Sequence, residues 1–196
     1  SIVREAGVIA SMPFFRGTIS DLGGPTANLY GMGCKDPEME ALCKRPSCLW
    51  PSICKNFRLD GAPFRELLRR VRELPRIKHA FVSSGIRHDV LIRTPEVLRD
   101  LVKFHTGGRL KVAPESGSDR ILRLMRKPAK AEFQRFLDLF ERISSEEKQR
   151  CEIVPYLITS FPGATPKDAS KTACMLKEAG IKVKRVQDFW PTPSTI

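Results

Sequence analysis

No stretch of this 196-residue chain is apolar for long enough to cross a bilayer, and its first residues, SIVREAGVIA, show no cleavable signal pattern. Neither glycine-rich phosphate cradle occurs, G-x-G-x-x-G or G-x₄-G-K-[ST], so P-loop and dinucleotide chemistry is not expected. Aromatic residues are sparse at 8%, and they do not alternate with basic residues as a single-strand nucleic-acid platform requires. Nothing in the composition argues for an oxidising compartment, so reduced cysteines in a cytoplasmic protein are the expectation. Hydrophobic residues make up 41% of the chain, enough for one domain with a real core.

What the chain has in excess is positive charge, a formal net of +12. Residues 1–60 are nearly balanced, with 7 Lys or Arg against 6 Asp or Glu, whereas residues 61–196 carry 27 against 16. A surplus of this kind suits a polyanionic partner such as RNA. It equally suits solvated helix faces, since RELLRRVREL and KAEFQRFLDLFER set their charges opposite apolar stripes. Both readings stay open here.

The apolar pattern alternates between short runs and helical stripes. Strands are expected at GTISDLGG (17–24), HAFVSSG (79–85), RLKVAPE (109–115), EIVPYLITS (152–160) and VKRVQDFW (183–190). Phe64, Leu67, Leu68, Val71 and Leu74 share one face of a helix in the first long gap. Thr94-Pro95 and Thr165-Pro166 read as helix starts, and Gly180 as a helix stop. Pro155 implies a bulge or an edge within its strand. Strands separated by helices imply α/β architecture and parallel pairing, with ligands at the C-terminal strand ends.

Those strand ends carry a resemblance. APESGSDRILRLMRK, ITSFPGATPKDASKTACML and VQDFWPTPST resemble the fourth, fifth and sixth strand regions of radical S-adenosylmethionine (SAM) enzymes. SDLGGPTANLYGMGC and HTGGRLKVAPE are similar, more narrowly, to YgiQ-type (UPF0313) iron–sulfur proteins. The resemblance runs from about residue 15 to the end of the chain, in several long motifs in the right order. It implies that residues 1–196 form a partial (β/α) TIM-like barrel with parallel strands and a cysteine-rich insertion at 30–60. The parent enzyme would hold a [4Fe–4S] cluster and cleave SAM to a 5′-deoxyadenosyl radical acting on an unknown substrate. Its cluster cysteines are spaced C-x₃-C-x₂-C in the loop after the first strand. No such triplet exists here, so the first strand and cluster loop are expected to be missing and the fragment inert.

The resemblance assigns Gly23 and Gly24 to the methionyl amine, where the superfamily has Gly-Gly-Glu; this chain has Pro25 in place of the carboxylate, with the Thr26 hydroxyl next to it. It assigns Glu115 or Ser116 to the ribose or methionyl part of SAM. Ser118 reads from its position as the N-cap of a helix opening at Asp119, whose N-terminal amides would meet a carboxylate of the cofactor. Lys127, with Arg126 as its alternative, would meet the SAM carboxylate, and Ile158 and Phe189 would flank adenine or serve as plain core.

Cys34, Cys43, Cys48 and Cys54 are spaced C-x₈-C-x₄-C-x₅-C in a loop with few periodic apolar positions. Zinc, an auxiliary Fe–S cluster, free thiols and disulfides all remain open for them. Cys151 and Cys174 are expected to be buried, and His88, beside Arg87, to face a substrate. A missing first strand would leave GTISDL with a bare edge. Either residues 1–16 fold back over it, anchored by Met12, Phe14 and Phe15, or two chains pair along it as a dimer.

Overall fold

The computed structural model describes residues 1–24, 26–183 and 186–191; Pro25 and, within the last expected strand, residues 184 and 185 lie outside the described residues. Helix α1 (Ile2–Ser11) buries Ala6 and Ala10, and strand β1 (Thr18–Ile19) follows. A 3₁₀ turn at Ala27–Leu29 opens the cysteine-rich excursion, made of β2 (Gly33–Cys34), α2 (Pro37–Leu42) and β3 (Phe57–Arg58). Then come α3 (Ala62–Arg72), β4 (His79–Ala80), α4 (His88–Leu91) and α5 (Pro95–Asp100), the last continuing into a π-helical turn at Leu101–His105. The remainder is β5 (Arg109–Glu115), α6 (Asp119–Leu124), α7 (Lys130–Glu146), β6 (Glu152–Thr159), α8 (Pro166–Glu178) and β7 (Gln187–Asp188).

The pairing follows chain order. β1 lies parallel to β4, with Thr18 opposite His79, and β5 lies parallel to β6, which lies parallel to β7. A parallel bridge between Ile86 and Val112 joins the two groups. The mixed α/β architecture with parallel strands therefore stands as expected. Among the described residues the strands form open ladders and do not close a barrel.

The core lies between this sheet and the helices. α3 buries Phe64, Leu67, Leu68 and Val71, the stripe that its periodicity predicts, while Leu74 is half-buried. α7 turns Phe133, Phe136, Phe140 and Ile143 inward, with the first three rings in successive contact. Each such side chain contributes about 1.5–3 kcal/mol by leaving water.

Several ladders are shorter than the apolar runs suggest, and side chains explain why. The backbone N–H groups of Ser83 and Ser84 donate to the Asp21 carboxylate (2.8 and 3.2 Å) instead of to a strand. Pro155 is not on an edge strand. It sits opposite Val112, just before a register shift in which Val112–Glu115 spans the length of Pro155–Leu157, so the extra residue is on β5. Thr94 precedes α5 as expected, but its hydroxyl bonds back to the Val90 carbonyl (2.9 Å) and caps nothing.

Three expectations need correction. His88 does not face the strand ends. It is 2% exposed and packed against Phe133 at 5.4 Å, because α4 turns its ring toward α7. Cys174 is exposed, since α8 buries the next two residues, Met175 and Leu176; Cys151 is half-buried against the Thr106 hydroxyl. Finally, Phe14 is 72% exposed and anchors nothing; α1 packs on the core through Ala6 and Ala10, as a helix beside β1. Among the described residues no second strand pairs along the free side of β1, and no helix is long and apolar enough to cross a membrane.

Candidate functional site

Parallel pairing puts the C-terminal ends of β1, β4, β5, β6 and β7 on one rim, and polar side chains gather there. Asp21, just after β1, accepts from the Ser84 hydroxyl at 2.5 Å as well as from the two amides. Asp188, ending β7, accepts from Thr159 (2.5 Å) and Ser160 (3.0 Å), and these bonds hold its carboxyl below the usual range. The Tyr156 ring of β6 lies close to Gly85, where a Cβ would meet it at 3.5 Å.

Glu115 ends β5 with φ +64°, a left-handed conformation that is costly for a residue with a Cβ. Its carboxylate accepts from the Lys127 ammonium at 2.8 Å. Lys127 is delivered by the end of α6. There the Lys127 N–H bonds to the Leu122 carbonyl and the Arg126 N–H to that of Arg123, with Arg126 at φ +55°. That is a Schellman stop with arginine at the glycine position.

Between these two residues the chain docks on α8. Gly117 donates its N–H to Thr172 Oγ1 at 2.9 Å, and a Cβ there would stand 2.6 Å from the Thr172 Cα. Only glycine allows this approach. Ser116 is 3.4 Å from the same threonine hydroxyl. Ser118 occupies the position before α6, yet its fully buried hydroxyl caps nothing and donates instead to Asp168 Oδ1 at 2.6 Å. Asp168 also accepts from Arg120 and from the Thr165 hydroxyl and N–H, completing a capping box at the start of α8. Arg120 first, then Ser118 and Thr165, hold the Asp168 carboxyl well below the usual carboxylate range.

The residues singled out from the sequence thus fall into separate places. Gly23, Gly24 and Thr26 line a cleft of about 540 Å³ between α1 and the end of β1. Ser116 and Ile158 line a second, mostly apolar cleft of about 440 Å³ between β6 and α8. Glu115 and Lys127 pair with each other, and Phe189 packs edge-on to Phe161 at 4.8 Å. Pro25 lies outside the described residues. Asp168 and Arg120 were missed. Their signal was available in T-P-K-D (165–168), which has the S/T-x-x-D/E form of a capping box.

The four clustered cysteines occupy a different part of the molecule. Cys34 on β2 pairs with Phe57 on β3, Cys43 follows α2, and the Cys54 N–H bonds to the Cys48 carbonyl at 2.8 Å. All are free thiols. Burial raises the Cys48 thiol, and the neighbouring Cys54, Cys43 and Cys34 raise it further. Among the described residues no three Cys, His, Asp or Glu side chains stand in a ready metal-holding arrangement.

Comparison with known proteins finds relatives along the whole sequence of this chain. A UPF0313 protein of Geobacter sulfurreducens is 45% identical over 196 residues, covering all of this chain and 32% of that protein. The chain is similar to UPF0313 proteins along its whole length. One from Bacteroides thetaiotaomicron is 41% identical over 206 residues, covering all of this chain and 33% of its own length. Another, from Vibrio parahaemolyticus, is 42% identical over 98% of this chain and 25% of itself. The chain therefore spans a third or less of these UPF0313 proteins. No family model matches it.

Proposed function

We propose that this chain is the SAM-binding part of a radical SAM enzyme, built as a partial (β/α) barrel of the YgiQ type. The observation that supports it is the Glu115–Lys127 pair at the end of a parallel strand, on the rim that also bears Gly23 and Gly24. Lys127 meets the methionyl carboxylate by exchanging partners with Glu115, a charge-assisted contact of the strong kind. Glu115 is then free to accept from the ligand's ammonium or ribose hydroxyls. Gly23 and Gly24 offer backbone carbonyls to the same ammonium; a Cβ on Gly24 would touch nothing within 4 Å, so its backbone is open to approach. Ile158 and Phe189 supply the apolar surface for adenine.

None of the six cysteines falls in a C-x₃-C-x₂-C, so these 196 residues do not fit the SAM-cleaving [4Fe–4S] cluster. Reductive cleavage of SAM belongs in this reading to the whole protein. A cytoplasmic setting goes with it, because the six free thiols stay reduced there. The surplus charge of residues 61–196 makes a polyanion such as RNA the first substrate class to test.

Equilibrium dialysis of labelled SAM against the intact protein tests the binding claim. Saturable binding is expected, weakened about tenfold or more by Lys127→Ala. Absence of binding, or equal binding by that variant, contradicts it.

A further inference from the structure

We propose that Cys34, Cys43, Cys48 and Cys54 form a structural tetrathiolate zinc site. The proposal is independent of the reading of the rim. From Tyr30 to Asn56 no hydrophobic side chain among the described residues is buried, and Leu42 is 79% exposed. A segment of this length without a core needs a cross-link to hold one shape. Yet this one has a specific course. The Lys35 N–H bonds to the Asn56 carbonyl at 2.7 Å, and Lys35 Nζ reaches the Lys55 carbonyl at 3.2 Å. Arg45 ties the loop between Cys48 and Cys54 by donating to the carbonyls of Ser47, Trp50 and Ser52. The β2–β3 pairing brings the Cys34 backbone to the strand that follows Cys54, and the Cys48 carbonyl accepts from the Cys54 N–H. The four thiols are not drawn into one shell in the described structure, so the ion itself would have to gather them, Cys43 included.

Charge points the same way. Cys34, Cys43 and Cys54 are each followed directly by lysine, and residues 34–58 carry five cations against three acids. Four thiolates around a divalent ion leave a net −2, which this local +2 offsets. Zinc suits the set because it takes four thiolates in a closed structural site and needs no redox partner. Each thiol gives up its proton to solvent as the metal–sulfur bond forms. The ion would serve as the core that the segment lacks.

Metal analysis of the intact, reduced protein tests this, read together with alkylation of its cysteines. About one zinc per chain is expected, with these four thiols blocked and Cys174 open to alkylation; chelation should then open all four together. Replacing zinc by cobalt(II) should give thiolate charge-transfer bands and the visible pattern of a tetrahedral site. Cys48→Ser and Cys54→Ser should each weaken zinc retention more than about tenfold, and Cys174→Ser should leave it unchanged. Zinc-free protein in which the four thiols alkylate freely, disulfides among them, or iron and sulfide in place of zinc would overturn the assignment. The alkylation arm needs no variant, so a misfolded mutant cannot blur the result.

Discussion

The Lys127 ammonium sits 2.8 Å from the Glu115 carboxylate, and both residues are held there by unusual backbone: Glu115 at φ +64°, and Lys127 one residue past Arg126 at φ +55°. Two left-handed residues without glycine, at an ion pair whose carboxylate is buried and whose ammonium is half-buried, mark a place where local stability gives way to side-chain placement. Lys127→Ala should therefore cost about 1–3 kcal/mol by leaving Glu115, 7% exposed, without its cation. Arg126→Gly should stabilise by about 1 kcal/mol, since glycine takes that backbone freely. Denaturant unfolding at neutral pH measures both; a destabilised Arg126→Gly would show that the guanidinium holds something.

His88 makes a pH-dependent prediction. Burial pushes its imidazole down to about 4, and neither ring nitrogen has a hydrogen-bond partner among the described residues. The folded state thus holds the neutral ring, while the unfolded chain protonates near 6.5. Its contribution is full above about 6.5 and is lost as the pH falls toward 4, by about 3 kcal/mol across that window. Facing groups from its neighbours, Asp89, Arg87, Glu132 and Lys127, modulate this without reversing it. His88→Leu should keep stability at pH 7.5 and flatten the loss between 6.5 and 4. An unchanged acid limb in that variant would assign the titration elsewhere.

Asp168 acts lower on the same scale. Its depressed carboxyl stabilises the fold above the unfolded value of about 3.9, and that contribution is lost as the pH falls further. Asp168→Asn should lower stability at neutral pH and shrink the loss below pH 4. Because Asp168 ties Ser118 and Arg120 to the start of α8, hydrogen exchange should quicken at residues 116–120 and 165–168 together. Faster exchange at α8 alone would remove Asp168 from the turn after β5.

How far the sequence could be read depends on the range of the forces involved. The stripe of α3, the Thr165 start and the Gly180 stop are local, and each stands where the pattern puts it. Parallel order followed from alternation. Ser118 was legible as the residue before α6 but not as a donor across fifty residues to Asp168, because that partner is set by packing. His88 looked like a rim residue from its place after a strand. One turn of α4 swings it onto Phe133 instead. The left-handed Glu115 carries no mark in the sequence, as the bulge on β5 arises only against β6.

The most direct measurement is 5′-deoxyadenosine formation. The intact protein carrying this chain, loaded anaerobically with iron and sulfide, is incubated with SAM and a low-potential reductant, beside the isolated 196 residues treated identically. The account predicts product from the intact protein, lowered by Lys127→Ala, and none above background from the isolated chain, which has no C-x₃-C-x₂-C. Product from the isolated chain, or none from cluster-loaded intact protein, would contradict it.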